Sequence, residues 1–356
     1  MPHADRGLRA ERRRDPLTGE WRTFAAHRQD RTFLPAADDC PLCPTRDPGR
    51  PTELDRPAFD IAVFDNRFPA LLADPPEPAL VGTGPYRTAP AVGAAEVVVY
   101  TDRHDRTLTD LPPPHLTRLV DVWADRYAVL GARPEVAYVF VFENRGQAVG
   151  VTLDHPHGQV YAYPEIPPLP RRELDEALAH RSAHGTCVYC DVVAQEQADA
   201  ARLVAGNQSF LAFVPFAARM PYEVHLAARR HATSLLDLTG PERAALAGLL
   251  REVVLAYDSL FGFPLPYVMS MHQAPTDEAR WLPVSHLHLE FTPVHRTATK
   301  LKYLAGSELG AGAFIGDRLP EDTAADLRAA GARAAVAHGP APAAGPAGVA
   351  NASTGR

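Results

Sequence analysis

Short apolar runs rich in β-branched and aromatic residues recur along the chain, and each has the length and composition of a buried strand. They lie at 61–64, 96–100, 138–142, 160–163, 210–215, 222–227, 267–272 and 285–291. Longer stretches at 108–130, 171–184 and about 241–261 predict helices, and capping or Pro residues mark the start of the first and last. The pattern therefore predicts a fold of mixed strands and helices.

The order of chemically useful residues repeats along the chain. Each series contains a Cys-x-x-Cys pair, a strand followed by a His, a helix, and a His-x-His sequence. The first series has Cys40, Cys43, His104, His155 and His157, and the second has Cys187, Cys190, His231, His286 and His288. This order indicates internal duplication of one unit, with a period far longer than that of solenoid repeats. The first copy is longer mainly because of a Pro- and Gly-rich segment at 73–94, which predicts a surface loop.

The first His-x-His sequence lies in a polar loop between two predicted strands. In an extended segment His155 and His157 point to the same face, and Pro156 stiffens the backbone between them. Gly158 lets a ligand approach the backbone, and Gln159 adds an amide that donates and accepts hydrogen bonds. Such a sequence suits metal binding or nucleophilic attack on phosphorus. Two partly exposed histidines in a hairpin loop are the alternative, so other residues must decide.

Composition narrows the class of protein. The chain has 356 residues, enough for two domains, and its 46% hydrophobic and 22% charged residues are typical of globular proteins. A formal net charge of -7 argues against general nucleic-acid binding. No apolar run approaches the roughly 18 residues that span a bilayer, and the basic segment 1–14 lacks the apolar core of a secretory signal. We therefore expect a cytoplasmic protein without a membrane or nucleic-acid partner.

All four cysteines belong to the two Cys-x-x-Cys pairs. In a reducing compartment such pairs are more often metal ligands than disulfides, and tetrahedral zinc needs four N or S ligands. Two ligand sets are available: Cys40, Cys43, His104 and His155, and Cys187, Cys190, His231 and His286. Each set would fill every position of the metal, which makes both sites structural. The alternative is that the cysteines are buried apolar residues and the repeated His positions a coincidence.

This assignment leaves His157 available for chemistry. A neutral imidazole attacks phosphorus well, and the resulting phosphoramidate is itself reactive, which suits a two-step group transfer. A residue that only contacts the substrate is the alternative. Arginine forks and amides suit phosphate binding, and the candidates are Arg28, Arg31, Asn66, Asn144, Thr152 and Gln159.

Over roughly residues 12–325 the chain resembles galactose-1-phosphate uridylyltransferase, a duplicated branch of the histidine-triad superfamily. In the first half the resemblance rests on residues 13–21, His27 and Arg28, the Cys40/Cys43 pair, residues 143–146, and the active-site signature at 155–159. In the second half it rests on residues 221–223, 271–272, 286–288 and 296–303.

The resemblance implies an α+β fold with two histidine-triad-like halves, each a mainly antiparallel sheet with helices packed on it. Residues 1–170 would form the N-terminal domain that carries the nucleophile, and residues 171–330 the C-terminal domain. The segment 331–356 is almost entirely Ala, Gly and Pro with a few polar residues. Because it can bury little apolar surface, we expect a disordered tail there.

The resemblance also implies a ping-pong reaction. His157 would attack the α-phosphorus of UDP-glucose, release glucose 1-phosphate and carry UMP, which galactose 1-phosphate would take to give UDP-galactose. Gln159 would donate to the phosphoryl oxygens. Around the nucleotide would lie Arg28, Arg31, Asn144 and Thr152, while Lys302, Tyr303 and Glu308 match the stretch that holds the hexose. Active sites of the family are completed across a homodimer, so some of these residues would serve the partner's site.

Two features depart from the family pattern. Many members hold a second metal on a Glu and three His, which here would be Glu173, His272, His286 and His288. The cysteine set competes for His286, and because thiolates outcompete carboxylates for zinc we favour that set. Iron is an alternative metal for the second site. The other departure is Ser307, which replaces a common aromatic residue near the sugar and leaves hexose specificity open.

Two competing functions differ in testable ways. An adenylyltransferase or phosphorylase of the same superfamily would use ADP-sugars in place of UDP-sugars. A non-catalytic, zinc-stabilised nucleotide-binding module would bind without forming a covalent nucleotide. The intact sequence 155–159 argues against the second of these, because binding alone has no need for a nucleophilic imidazole there.

Overall fold

A computed structural model describes residues 10–30 and 34–338. The strands are β1 (Ala10–Arg14), β2 (Trp21–Ala25), β3 (Ala62–Asp65), β4 (Arg87–Pro90), β5 (Ala94–Val99), β6 (Tyr138–Arg145), β7 (His157–Tyr163), β8 (Leu203–Gly206), β9 (Phe210–Phe213), β10 (Val224–Ala228), β11 (Tyr267–His272), β12 (His288–Pro293), β13 (His295–Thr297) and β14 (Lys300–Leu301). The helices are α1 (Pro113–Gly131), α2 (Pro168–His184), α3 (Val188–Asp199), α4 (Gly240–Leu260) and α5 (Pro320–His338). No helix in these ranges is long and apolar enough to cross a membrane.

One antiparallel sheet runs through both halves of the chain. Its strand order is β3-β5-β7-β6-β11-β12-β10-β9-β8, so the first half forms one side and the second half the other. The two sides are related by the predicted duplication, because β5, α1, β6 and β7 follow one another as do β10, α4, β11 and β12. The predicted α+β fold is confirmed, and the two half-sheets are continuous where β6 pairs with β11.

Helices α1 and α4 cover one face of this sheet. In α1 the residues Leu116, Val120 and Trp123 recur at helical spacing and are buried in the main core. In α4 the side chain of Thr239 caps the first turn, and Glu242 bonds back to the Thr239 backbone. These contacts satisfy amide groups that a helix start leaves unpaired. The opposite face of the sheet is left for the histidines of β7 and β12.

Four sequence expectations differ from the structure. The segment 73–94 is not all loop, because β4 pairs with β1 in a small sheet of order β2-β1-β4. Helix α2 begins at Pro168, three residues before the predicted start and across the expected domain boundary at 170. Helix α3 was not predicted. Disorder from 331 is wrong for residues 331–338, because α5 continues to His338; the rest of that segment, 339–356, lies outside the described residues.

A buried polar network joins the two halves. The hydroxyl groups of Tyr100 and Tyr267 donate to the two carboxylate oxygens of Glu143, at 3.1 and 3.2 Å. Glu143 lies on β6 opposite Met269 of β11, at the central pairing of the sheet. Burial raises the pKa of Glu143 to about 7, although nearby Arg145 and the two hydroxyls act in the opposite direction.

The raised pKa of Glu143 predicts a pH-dependent stability. Its ordinary value is 4.5, so its contribution to folding is complete below about pH 4.5 and is lost as the pH rises through about 7. A shift of this size corresponds to about 3 kcal/mol. In urea unfolding of metal-replete protein, we expect the free energy of unfolding of wild type to fall relative to that of Glu143→Gln over this range. Parallel pH profiles would contradict this assignment.

Candidate active site

Strand β7 begins with His157, whose ring orientation is set by the backbone of His155. The Nδ1 atom lies 2.7 Å from the carbonyl oxygen of His155. Because a carbonyl oxygen only accepts, Nδ1 carries the proton and the lone pair is on Nε2. Burial lowers the pKa of His157, which keeps the ring neutral near pH 7. The residue is therefore a neutral imidazole with its nucleophilic nitrogen turned away from the backbone.

A chain of hydrogen bonds orients the amide of Gln159. The backbone N–H of Phe68 donates to Asn66 Oδ1 at 2.9 Å, which makes Nδ2 the other end of the Asn66 amide. Asn66 Nδ2 donates to Gln159 Oε1 at 3.3 Å. The Gln159 oxygen is thereby engaged, and its NH2 group is left to donate toward a ligand. Asn66, which the sequence predicts as a substrate contact, thus determines which end of the Gln159 amide faces the cavity.

Four of the predicted residues line one cavity of about 100 Å³: His157, Gln159, Asn66 and Thr152. Arg28 lies beside it in the 3-10 turn Ala26–Asp30, where it donates to the Phe68 carbonyl at 3.0 Å and to the Tyr161 hydroxyl at 3.1 Å. Arg31 lies outside the described residues.

Asn144 is not among the residues that line this cavity. It lies on β6, two positions from Phe142, and residues two apart share a face of a strand. Phe142 pairs with Gln159 of β7, so Asn144 is on the cavity face of the sheet.

The predicted hexose-binding residues lie elsewhere in the chain. Lys302 is buried, with Nζ 3.2 Å from Glu308 and 2.6 Å from the Ile315 carbonyl, and it lines a separate cavity of about 300 Å³. Tyr303 is 74% exposed. The two cavities share no lining residue. A single chain therefore does not bring this stretch to His157.

The first predicted metal group is assembled in the structure. Cys43 Sγ lies 3.6 Å from His104 Nδ1 and 3.5 Å from His155 Nδ1, and Cys40 Sγ lies 3.9 Å from His155 Nδ1. Zinc bonds of about 2.3 Å to sulfur and about 2.0–2.1 Å to nitrogen place tetrahedral S and N ligands about 3.6 Å apart. The Nε2 atom of His155 donates to the Thr101 carbonyl at 2.7 Å, which leaves Nδ1 to bind a metal.

The second cysteine group has the same geometry. Cys190 Sγ lies 3.5 Å from Nδ1 of both His231 and His286, and Cys187 Sγ lies 4.0 Å from His286 Nδ1. The Nε2 atom of His286 donates to the Ala228 carbonyl at 2.7 Å. Both nitrogens of His286 are thereby engaged with the cysteine group and the backbone. These four residues can hold a metal, as can the four of the first group.

The competing ligands form a distinct group that excludes His286. Glu173, His272 and His288 lie close enough to share an ion, and His272 Nδ1 is 2.8 Å from a Glu173 oxygen. They line a cavity of about 470 Å³. His272 Nε2 and two other buried polar atoms that line this cavity, Gln273 Nε2 and Ser285 Oγ, have no hydrogen-bond partner within the described part of the chain. The ligand atoms thus form two distinct clusters, with His286 in the cysteine group, although His286 also lines this cavity.

Sequence reasoning missed the residues around Glu290. Its carboxylate lies 3.3 Å from His225 Nε2, 2.7 Å from Arg219 and 3.9 Å from His272 Nε2. Burial raises the pKa of Glu290, but the electrostatic effect of the neighbouring imidazoles and of Arg219 outweighs it and holds the pKa well below its usual range. The duplication contained the signal, because Glu290 follows His288 by two positions as Gln159 follows His157.

Comparison with known proteins shows to which family the chain belongs. The model of the galactose-1-phosphate uridyl transferase N-terminal domain matches residues 2–167, and that of the C-terminal domain matches residues 173–338. The galactose-1-phosphate uridylyltransferase of Thermotoga maritima is 38% identical over 319 residues, which cover 89% of this chain and 98% of that protein. This chain belongs to the galactose-1-phosphate uridylyltransferase family.

Solved structures agree with membership of the uridylyltransferase family. One uridylyltransferase structure has a TM-score of 0.81 and 37% identity, covering 91% of this chain and 99% of its own. An ADP-glucose phosphorylase of Arabidopsis thaliana, solved with bound ADP-glucose, shares the fold at a TM-score of 0.68 and 24% identity, covering 90% and 98%.

Within the described residues, the two halves of this uridylyltransferase-family chain differ at the position two residues after the second His of each His-x-His sequence. In the second half an ionised carboxylate, Glu290, replaces the Gln159 amide and cannot donate to a phosphoryl oxygen. The ring of His288 is also stacked on Tyr189 and His272, with centroids 4.2 and 4.8 Å apart. At this position the second half therefore presents a hydrogen-bond acceptor, where the first half presents an amide that can donate.

The orientation of Gln159 predicts a specific effect of Asn66→Asp. The new carboxylate can still accept from Phe68 N–H, but it also presents an oxygen to Gln159, so the Gln159 amide should rotate and turn its oxygen into the cavity. We expect UMP affinity to fall about tenfold or more by calorimetry, further than in Asn66→Ala.

A Gln159→Ala background separates this rotation from simple charge repulsion. There Asn66→Asp should cost clearly less affinity, because no amide remains to rotate. An equal loss in both backgrounds would mean that Asn66 does not orient Gln159.

Proposed function

We propose that this protein is a galactose-1-phosphate uridylyltransferase that moves UMP from UDP-glucose to galactose 1-phosphate through a covalent uridylyl-His157. The observation that carries the proposal is the His157 ring, neutral and protonated on Nδ1, facing the same cavity as the oriented Gln159 amide. Membership of the family supports the choice of UDP-sugar and sugar 1-phosphate as substrates.

In the first step the lone pair of His157 Nε2 forms a bond to the α-phosphorus. The bond from that phosphorus to the bridging oxygen breaks, and glucose 1-phosphate leaves with the electron pair. The imidazole gains positive charge, and the hydrogen bond from its Nδ1–H to the His155 carbonyl stabilises that charge. Gln159 donates to the phosphoryl oxygens as their charge shifts. A phosphate oxygen of galactose 1-phosphate then attacks the same phosphorus, and His157 leaves as a neutral ring.

Zinc is the metal that best fits both cysteine groups, since thiolate and imidazole ligands at tetrahedral spacing favour it. The first group would fix His155, and so the loop before His157. The second would fasten the start of α3 to the segment just before β12. Glu173, His272 and His288 offer oxygen and imidazole ligands that suit iron or zinc, and because His286 lies with the cysteines, this group need not compete for it.

A homodimer accounts for two otherwise separate observations. A cavity of about 100 Å³ is smaller than the roughly 300–1,000 Å³ of typical ligand sites. The stretch predicted to bind the hexose lines another cavity and exposes apolar side chains, with Leu309 73% and Ile315 60% exposed. A second copy that contributes Lys302, Tyr303 and Glu308 would complete the site.

The unpaired cysteines fit a cytoplasmic setting.

Intact mass after mixing with UDP-glucose tests the reaction directly. We expect a UMP adduct on wild type, none on His157→Gly, and loss of the adduct when galactose 1-phosphate is added. His184→Gly, at an exposed His in α2, is the matched control and should retain the adduct. An AMP adduct from ADP-glucose in place of UMP would move the protein to the adenylyl-transferring branch. No adduct from either donor would refute the covalent mechanism.

Metal analysis of two cysteine variants tests the zinc assignment. We expect Cys43→Ser and Cys190→Ser each to lose about one zinc ion per chain. Cys43→Ser should also impair adduct formation, because its site holds the loop before His157, whereas Cys190→Ser should not. Unchanged zinc content in either variant, by mass spectrometry of the purified protein, would remove that site.

A further inference from the structure

Gly158 lies between His157 and Gln159 in β7, at a position that faces the opposite side of the sheet. Side chains alternate along a strand, so His157 and Gln159 face the cavity while position 158 faces the helical layer. A Cβ atom built at Gly158 would lie 2.3 Å from the Tyr100 hydroxyl oxygen and 3.1 Å from the Phe142 carbonyl oxygen. Only glycine fits, because the Tyr100 hydroxyl occupies the space directly behind the nucleophile.

Tyr100 contacts the nucleophile sequence through its backbone as well. Its N–H donates to the Pro156 carbonyl at 3.0 Å, and the preceding residue, Val99, pairs with His157. The side chain is fully buried. Movement of Tyr100 would therefore move the backbone on both sides of His157.

Glu143 holds Tyr100 in this position. Its carboxylate accepts the Tyr100 hydroxyl on one oxygen and the Tyr267 hydroxyl on the other. Beside it, Arg145 makes two hydrogen bonds to Asp258 of α4, at 2.8 and 3.0 Å. A carboxylate buried on the side away from the substrate has no part in the transfer itself.

We propose that Glu143, through the hydroxyl groups of Tyr100 and Tyr267, fixes the position of the β7 backbone at Gly158. Glu143 is thereby a positioning residue for His157 and Gln159. The inference rests on the proposed function, since it concerns how well His157 is placed for transfer. It also means that the second half of the chain, which supplies Tyr267, helps to position a nucleophile in the first.

Single-turnover uridylyl transfer to His157 tests the proposal. We expect Glu143→Leu and Tyr100→Phe to lower the transfer rate constant by about tenfold to a hundredfold, because misplacement by a fraction of an ångström is costly in an aligned displacement. Affinity for UDP-glucose should change by no more than about twofold, because neither side chain faces the cavity. Glu143→Gln should recover much of the rate, because its amide can accept from one tyrosine and donate to the other.

Tyr257→Phe is the matched control. Tyr257 is also fully buried, and its hydroxyl donates to the Tyr222 carbonyl at 2.8 Å and not to Glu143. Its ring packs against that of Tyr267 with centroids 6.0 Å apart, and a Phe ring retains that contact. The variant loses an equivalent hydroxyl, so it should lower the melting temperature and leave the transfer rate unchanged. A rate loss in Tyr257→Phe as large as in Tyr100→Phe would overturn the proposal.

A double variant tests the contact behind Gly158. Gly158→Ala alone places a methyl group against the Tyr100 hydroxyl and should abolish transfer. Adding Tyr100→Phe removes that oxygen and leaves the nearest atoms at 3.1 Å, so the double variant should be faster than Gly158→Ala. A double variant no faster than the single one would overturn the proposed contact.

The imidazole NMR signals of His157 separate this proposal from the proposed function. In Tyr100→Phe and Glu143→Leu the Nδ1–H resonance should shift, while in Tyr257→Phe it should not. If wild type forms no adduct yet these shifts occur, the function fails and the positioning stands. If wild type reacts, and the variants neither slow transfer nor shift the resonance, the positioning fails and the function stands.

Discussion

The pairing of β6 with β11 is the constraint on which the rest of the structure depends. It joins two half-sheets with the same order of elements into one nine-stranded sheet. Helices α1 and α4 pack on one face, and the histidines of β7 and β12 lie on the other. Every strand near the centre has hydrogen-bonded neighbours on both edges. The strand that carries His157 is therefore supported on both sides, one step from the joint.

The two halves share several local features within this common framework. Both retain a Cys-x-x-Cys pair facing two imidazoles, and the paired rings cross almost perpendicularly in each, at 83° and 81°. The difference lies two residues beyond the second His. In the first half an amide lies there, whereas in the second half a carboxylate lies there in contact with an imidazole and an arginine. The first half therefore offers a hydrogen-bond donor at this position, and the second half offers an anion.

Residues that act through repeated local motifs could be predicted from the sequence. Both cysteine groups, His157, Gln159 and the central strands were predicted because each has a local signature. Helix α5 was missed because its Ala-rich composition suggested low complexity, although Ala324, Leu327, Ala330 and Ala334 are buried at helical spacing. Strand β4 has no apolar signal and exists because β1 pairs with it. The meeting of Tyr100, Glu143 and Tyr267 depends on the register between halves, which no local pattern encodes.

The continuity of the sheet has a consequence for the chain as a unit of folding. If either half stood alone, β6 or β11 would become an open edge, with unpaired amide groups and a row of large apolar side chains. Edges of that kind pair with other chains and aggregate unless they are covered. In the joined sheet each half covers the edge strand of the other. We therefore expect the two halves to be stable and soluble together, and either half alone to aggregate.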